Sequence, residues 1–123
     1  MLFSIIATVP PQKCMAALGM ENGEIPDKFI TTSSDFNPAQ RAANARLHFQ
    51  AGGGRKGAWS AKIDNPDQWL QVFFGRWAKV TRISTQGRQD AAQWVKSYTL
   101  SYSYDGLWWY KYLVNGKLQV SLN

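Results

Sequence analysis

The chain is poor in the residues that most often do chemistry. Its 123 residues include one cysteine, Cys14, and one histidine, His48. A single cysteine excludes an internal disulfide and a multi-thiolate zinc site. A single histidine, with no partner signalled, gives no basis for a catalytic triad or a histidine metal centre. His48 is read as structural or simply exposed. Long apolar runs are also missing. The apolar stretch over residues 1–9 falls far short of the ~20 residues that span a bilayer. It lacks a basic n-region and is short for a secretory h-region. Residues 1–13 are therefore read as an N-terminal extension or signal remnant closed by Pro10-Pro11, with one domain over residues 14–123. Runs of like charge are absent too, the densest basic group being Arg55-Lys56.

What is present describes a basic globular domain. Hydrophobic residues make up 45% and charged residues 18%, enough apolar surface for one core. Lys and Arg number 14 against 8 Asp and Glu, a net charge of +6 that favours anionic partners such as acidic lipid or acidic glycan. Nucleic acid would suit the charge, but no motif supports it, and it is not expected as a partner. Asp64, Asp67, Asp90 and Asp105 sit in turn-forming contexts and read as turn formers, not acid/base pairs. With no catalytic constellation, the chain is not expected to be an enzyme.

Turn signals are dense: Pro26-Asp27, Asn37-Pro38, Gly52-Gly53-Gly54, Asn65-Pro66, Gly75, Gly87, Asp105-Gly106 and Asn115-Gly116. Between them lie short runs rich in β-branched and aromatic residues, the pattern of an all-β sandwich or barrel. "QWLQVFFG" (68–75) and "AKVTRISTQG" (78–87) read as strands. "SYTLSYSYDGLWWYKY" (97–112) carries seven rings in sixteen residues. Tyr98, Leu100, Tyr102 and Tyr104 share one face, and Trp108, Tyr110 and Tyr112 share another beyond a two-residue turn expected at Asp105-Gly106. The simplest reading is a sheet face turned to a core. Trp108 and Trp109 point to opposite sides, and the pattern leaves open which is exposed.

"ALGMENGEIPDKFITTSS" (17–34), "ARLHF" (45–49), "GAWSAKIDNPDQWLQVFFGRWAKVTRISTQGRQ" (57–89) and "QWVKSYTLSYSYDGLWWYKY" (93–112) together resemble the discoidin domain, also called the coagulation factor V/VIII type C domain. The resemblance implies an all-β antiparallel sandwich, a distorted jelly-roll barrel of the galactose-binding-domain-like kind. It implies an extracellular, non-catalytic module. Such modules bind acidic phospholipid, terminal sugars, collagen or other proteins through "spike" loops at one end of the sandwich. It places Trp59, Trp69, Trp109 and Tyr112 at core-like positions and Trp108 at a variable, more exposed one. Cys14 matches a family cysteine that pairs with one at the domain's end. This chain stops at "LVNGKLQVSLN", so it is expected to be C-terminally truncated, without its last strands. Ser60 stands where many relatives have a second cysteine.

By the same resemblance the spikes are "SSDFNPAQRAANARL" (33–47), the region around "QAGGGRKG" (50–57) and the region around "GRQDAAQW" (87–94). The expected ligand-binding residues are Phe36, Asn37, Arg41, Arg55, Lys56, Arg88, Gln89 and Trp94. They supply rings to stack on, planar hydrogen-bonding groups and positive charge. The alternative role for two of them is internal: Arg88 pinning the third loop and Trp94 packing beneath it. The expected ligand is a glycan or an extracellular protein. Peripheral binding to acidic phospholipid is the alternative, although only Phe36, Ala91 and Ala92 offer apolar groups at the tips. No cofactor is expected. Calcium is known in some relatives, but no contiguous oxygen-ligand motif is visible.

Overall fold

The computed structural model describes residues 4–7, 16–118 and 120–122. Cys14 and its pairing lie outside them. The chain forms two compact units, Met1–Gln93 and Trp94–Asn123.

In the first unit, β1 (Ser4–Ala7) lies between β2 (Ala16–Ala17) and β5 (Val80–Ser84) in an antiparallel sheet. Ile5 pairs with Ile83, and the register shifts between Ile6 and Ala7. Strand β1 thus falls inside the stretch expected to be an extension. A second antiparallel pair joins β3 (Ile30–Thr32) to β4 (Leu70–Val72), with Thr31 opposite Gln71. Two further amides lengthen this ladder: Ser33 N donates to Trp69 O at 3.0 Å and Phe73 N to Phe29 O at 2.8 Å. Both strands expected from the sequence are present, each shorter than its apolar run. Among the described residues the remaining regular structure of this unit is 3-10 turns, at Asp27–Phe29, Pro38–Gln40 and Ala42–Ala45.

The core of this unit is small. Leu18, Met20, Ile25, Ile30, Ala43, Ala45, Ala58 and Trp59 are buried. Trp59, expected to be core, is only 6% exposed, and its indole Nε1 donates to Ser34 O and Asp35 Oδ1, both at 3.0 Å. Its polar atom is therefore satisfied on burial. Trp69, also expected to be core, is 48% exposed. The Ser33 hydroxyl accepts the Trp69 amide at 3.0 Å, so backbone bonding fixes this residue while its ring stays at the surface.

In the second unit, β6 (Ser97–Thr99) pairs with β11 (Val120–Leu122), β7 (Ser101–Tyr102) with β8 (Tyr110–Lys111), and β9 (Leu113–Val114) with β10 (Lys117–Leu118). The β9–β10 turn is Asn115-Gly116, with φ of 51° and 72°. Successive positive φ values are what a tight two-residue hairpin needs, and Asn and Gly tolerate them best. The expected two-residue turn at Asp105-Gly106 is instead a wider loop between Tyr102 and Tyr110, which face each other across β7 and β8. The cause is local. Asp105 Oδ1 accepts the amides of Leu107 at 2.8 Å and Trp108 at 3.0 Å, while Ser103 Oγ accepts that of Gly106 at 2.8 Å. Side chains take the amides that a tighter ladder would have used.

The shared ring face expected from the alternation forms. Tyr102 stacks on Tyr110 with centroids 5.5 Å apart, and Tyr104 meets Tyr102 edge-on at 5.8 Å. The expectation that these rings are core does not hold for the described chain: Tyr102, Trp109 and Tyr112 are each close to half exposed. Two-residue strands hold the rings side by side without enclosing them. Trp108, at 75%, is the more exposed of the adjacent tryptophans, as its variable position implied. The chain is all-β, and its described strands form small antiparallel sheets, not a closed barrel.

Candidate functional site

The three loop regions expected to carry recognition follow from turn chemistry. Asn37 is extended, and Pro38 opens a 3-10 turn with its fixed φ. Arg41, also extended, separates that turn from the next. The buried side of the second turn is Ala43, Asn44 and Ala45. Alanine at two of these positions lets neighbouring backbone approach closely, and the approach is used.

Asn44, fully buried, is the hub. Its Nδ2 donates to Ala39 O at 2.7 Å, to Lys56 O at 2.8 Å and, longer, to Ala58 O at 3.5 Å. Its Oδ1 accepts Arg55 Nε at 2.9 Å and Nη2 at 2.5 Å. One amide thus fastens the first loop to the second from both ends. Backbone pairs complete the seam: Lys56 N to Ala39 O at 2.8 Å, Ser60 N to Gln40 O at 3.2 Å and Phe36 N to Ser60 O at 2.8 Å. The tip of the second loop closes on itself, Gly52 and Arg55 exchanging two amide bonds of 2.9 Å. The guanidinium of Arg55 lies 4.4 Å from the Phe49 centroid. Its pKa is lowered, first by burial and then by Arg41. The hub thus spends Arg55 on the fold and leaves it in a positive field.

The third loop is attached through Gly57. Its amide donates to Asp90 Oδ1 at 2.9 Å. A side chain here would not fit, since a Cβ would stand 2.9 Å from both Asp90 Oδ1 and Gln89 Cβ. Asp90 also takes Arg88 in a two-pronged pair, Nε to Oδ1 at 2.6 Å and Nη2 to Oδ2 at 3.2 Å, and Arg88 Nη1 reaches Gln93 Oε1 at 2.8 Å. The arginine, followed by the Gly57 amide, holds the Asp90 carboxyl far below the usual carboxylate range. Gln89 Oε1 accepts the Ala51 amide at 3.1 Å.

The expected site residues therefore divide. Phe36, Asn37, Arg41 and Lys56 are exposed on the joined first and second loops. Arg55 is engaged in joining the first loop to the second, Gln89 in joining the third to the second, and Arg88 in bonds within the third loop, the internal role weighed from the sequence. Trp94 begins the second unit and is exposed. The sequence reading missed Asn44. Its only signal is a small amide between alanines in "AANA", a short polar residue where alanine neighbours leave room for backbone. Gly57 and Asp90 were seen only as part of a motif and as a turn former.

Beside Arg41 lies an open hollow of about 330 Å³, lined by Asp27, Lys28, Ile30, Asp35, Arg41, Ala42 and Ala43. Its carboxylates already have partners. Asp27 binds Arg46 at 2.6 Å, and Asp35 Oδ1 accepts Thr32 Oγ1 at 2.8 Å as well as the Trp59 indole. Among the described residues no cluster of His, Cys, Asp or Glu is arranged to hold a metal ion, and no helix is long and apolar enough to cross a membrane.

The family model for the F5/8 type C domain matches residues 29–122. The chain is 40% identical over 112 residues to coagulation factor VIII of Homo sapiens. It is 39% identical over 111 residues to coagulation factor V of Homo sapiens, and 35% identical over 111 residues to lactadherin of Sus scrofa. These matches cover 87%, 85% and 86% of this chain. The chain spans only 5% of either coagulation factor and 27% of lactadherin.

Proposed function

The chain belongs to the F5/8 type C domain family, and from that premise we propose that it is a non-catalytic extracellular recognition module. Its ligand is a glycan or a protein surface, met by the joined first and second loops. One observation carries the reading: the backbone of these loops is fastened by Asn44 and Gly57, while Phe36, Asn37, Arg41 and Lys56 stay exposed on it. Pre-fastened loops lose little conformational freedom on binding, so their contacts count towards affinity. Phe36 supplies a face to stack on, Asn37 an amide that both donates and accepts, and Arg41 and Lys56 the charge for carboxylate or sulfate groups. Arg88 acts here as a positioning residue. It holds Asp90, which holds Gly57.

The test is an array of glycans, matrix proteins and phosphatidylserine vesicles probed with the full chain, followed by titration of each ligand found. Phe36→Ala and Arg41→Ala are each expected to weaken binding about tenfold, as for an anchor at an interface, with unchanged thermal unfolding. Wild-type affinity in both variants removes the assignment. A response to phosphatidylserine vesicles alone, lost in both variants, replaces the glycan or protein ligand with a lipid one at the same loops.

A further inference from the structure

The pair Asn-Gly occurs twice, at Asn22-Gly23 and Asn115-Gly116. Such a pair is open to an internal attack, in which the glycine backbone nitrogen meets the asparagine Cγ. Glycine has no side chain to shield that nitrogen. Asn37 and Asn65 each precede a proline, whose nitrogen carries no hydrogen to give up. Asn44 is buried, with both atoms of its amide engaged. The two Asn-Gly pairs are both exposed, but their settings differ.

Asn22 is held. Its Oδ1 accepts the Glu24 amide at 3.0 Å, and Ile25 N donates to Gly19 O at 3.1 Å to close the base of its loop. Leu18, Met20 and Ile25, at that base, are buried. Asn115 is not held. Among the described residues neither its side-chain amide nor the Gly116 N–H has a hydrogen-bond partner. Its turn is carried by β9 and β10, a ladder of two residue pairs. So short a hairpin opens at little cost, and opening frees the torsions that let Cγ approach the Gly116 nitrogen.

We propose that Asn115-Gly116 is a self-modification site, where the side-chain amide is lost to give aspartate and isoaspartate. The Gly116 nitrogen, its proton taken by solvent base, bonds to Asn115 Cγ. The Cγ–Nδ2 bond breaks and its nitrogen leaves as ammonia, which closes a five-membered succinimide. Water, the one co-reactant, then opens the ring. Cleavage at Cγ restores the ordinary chain with aspartate at position 115. Cleavage at the main-chain carbonyl frees that carbon as a carboxylate and routes the chain through Cγ. Either product places a new negative charge two residues from Lys117. The second also lengthens the backbone by one bond, in a turn that has to bring Val114 opposite Lys117. The site lies in the second unit and does not depend on the recognition loops.

The full chain is incubated in mildly alkaline buffer, where the amide nitrogen gives up its proton more readily, and sampled over time. Peptide mapping by mass spectrometry locates amide-to-acid conversion, and labelled methyl transfer by an isoaspartyl methyltransferase counts isoaspartate. Position 115 is expected to convert about fivefold faster than position 22, the factor that one side-chain hydrogen bond represents. In concentrated guanidinium chloride the two rates are expected to converge, because both pairs then lie in open chain. Asn115→Gln is expected to remove most methyl acceptance from the native chain. Three outcomes overturn the proposal: no conversion at position 115 in the native chain, conversion at position 22 that keeps pace with it, or a difference between the two that survives in denaturant. The comparison runs within one molecule, so it stands even where the variant misfolds.

Discussion

In the loop cluster around Asn44, the buried positions are filled by alanines and an amide. The hairpin of residues 97–114 carries seven rings, and yet six of them are at least 45% exposed. The residues with most to gain from leaving water are the less buried. The difference is in backbone bonding. Around Asn44, side-chain and main-chain groups from distant parts of the chain satisfy one another, so the loops close over small side chains. In the hairpin the β7–β8 ladder is only two residues long and the loop amides bond to near neighbours in sequence. Apolar content sets how much a segment gains from burial. Long-range hydrogen bonds decide which segments are drawn together to achieve it.

Substitutions can break this contrast. The largest effect is expected at Trp59, where ring burial and long-range bonding coincide. Trp59→Ala should cost about 4 kcal/mol, measured by denaturant unfolding. Asn44→Ala comes next, at about 3 kcal/mol, because it takes the amide from the Lys56 carbonyl and the Arg55 guanidinium and leaves Ala39 O with the Lys56 amide alone. A loss no greater than that of a surface alanine substitution would mean the hub is dispensable. Asp90→Asn sharpens the picture of the third loop. It should raise the hydrogen-exchange rate at the Gly57 amide and loosen Arg88, with little change in global unfolding. The carboxyl is depressed in the folded chain, so its contribution is complete above the ordinary carboxylate pKa of about 4 and is lost as pH falls through the lower folded value. The Gly57 amide should therefore stay protected in mild acid and lose protection only in strong acid. The smallest effect is expected from Tyr110→Ala, about 1 kcal/mol or less, since the ring is half exposed and its main contact is the stack on Tyr102.

Much of this architecture was legible in the residues, for reasons that can be stated. Alternation marked the strands around Val72 and Ile83 and placed Tyr102 with Tyr104, and Tyr110 with Trp108 and Tyr112, because a strand's period is fixed by backbone geometry. Asn115-Gly116 announced its turn through the φ values it tolerates. The family followed from motifs spread over most of the chain, and with it the expectation that Trp108 is more open than Trp109. Burial of particular rings was not legible. Trp59 and Trp69 occupy similar local patterns, and only a partner across the fold, Ser34 and Asp35 for one and the Ser33 hydroxyl for the other's backbone, separates them. Asn44 was hidden for the same reason: its partners lie five to fourteen residues away and no local pattern names them. The division of the arginines was half visible. Pinning of the third loop was a role weighed for Arg88, but its partner Asp90 was read only as a turn former, and the engagement of Arg55 required the hub.

The glycine tip at residues 52–55 stands on a base fixed at both ends, its two reciprocal amide bonds sealing the turn below Gly53 and Gly54. Added side-chain atoms at those glycines would meet open space. The limit on change there is the turn's own backbone: Gly53 and Gly54 sit at φ of 57° and 80°, which strain any side-chain-bearing residue even with room for it. The tip is thus spacious for a partner's approach and yet tied to glycine by its own geometry.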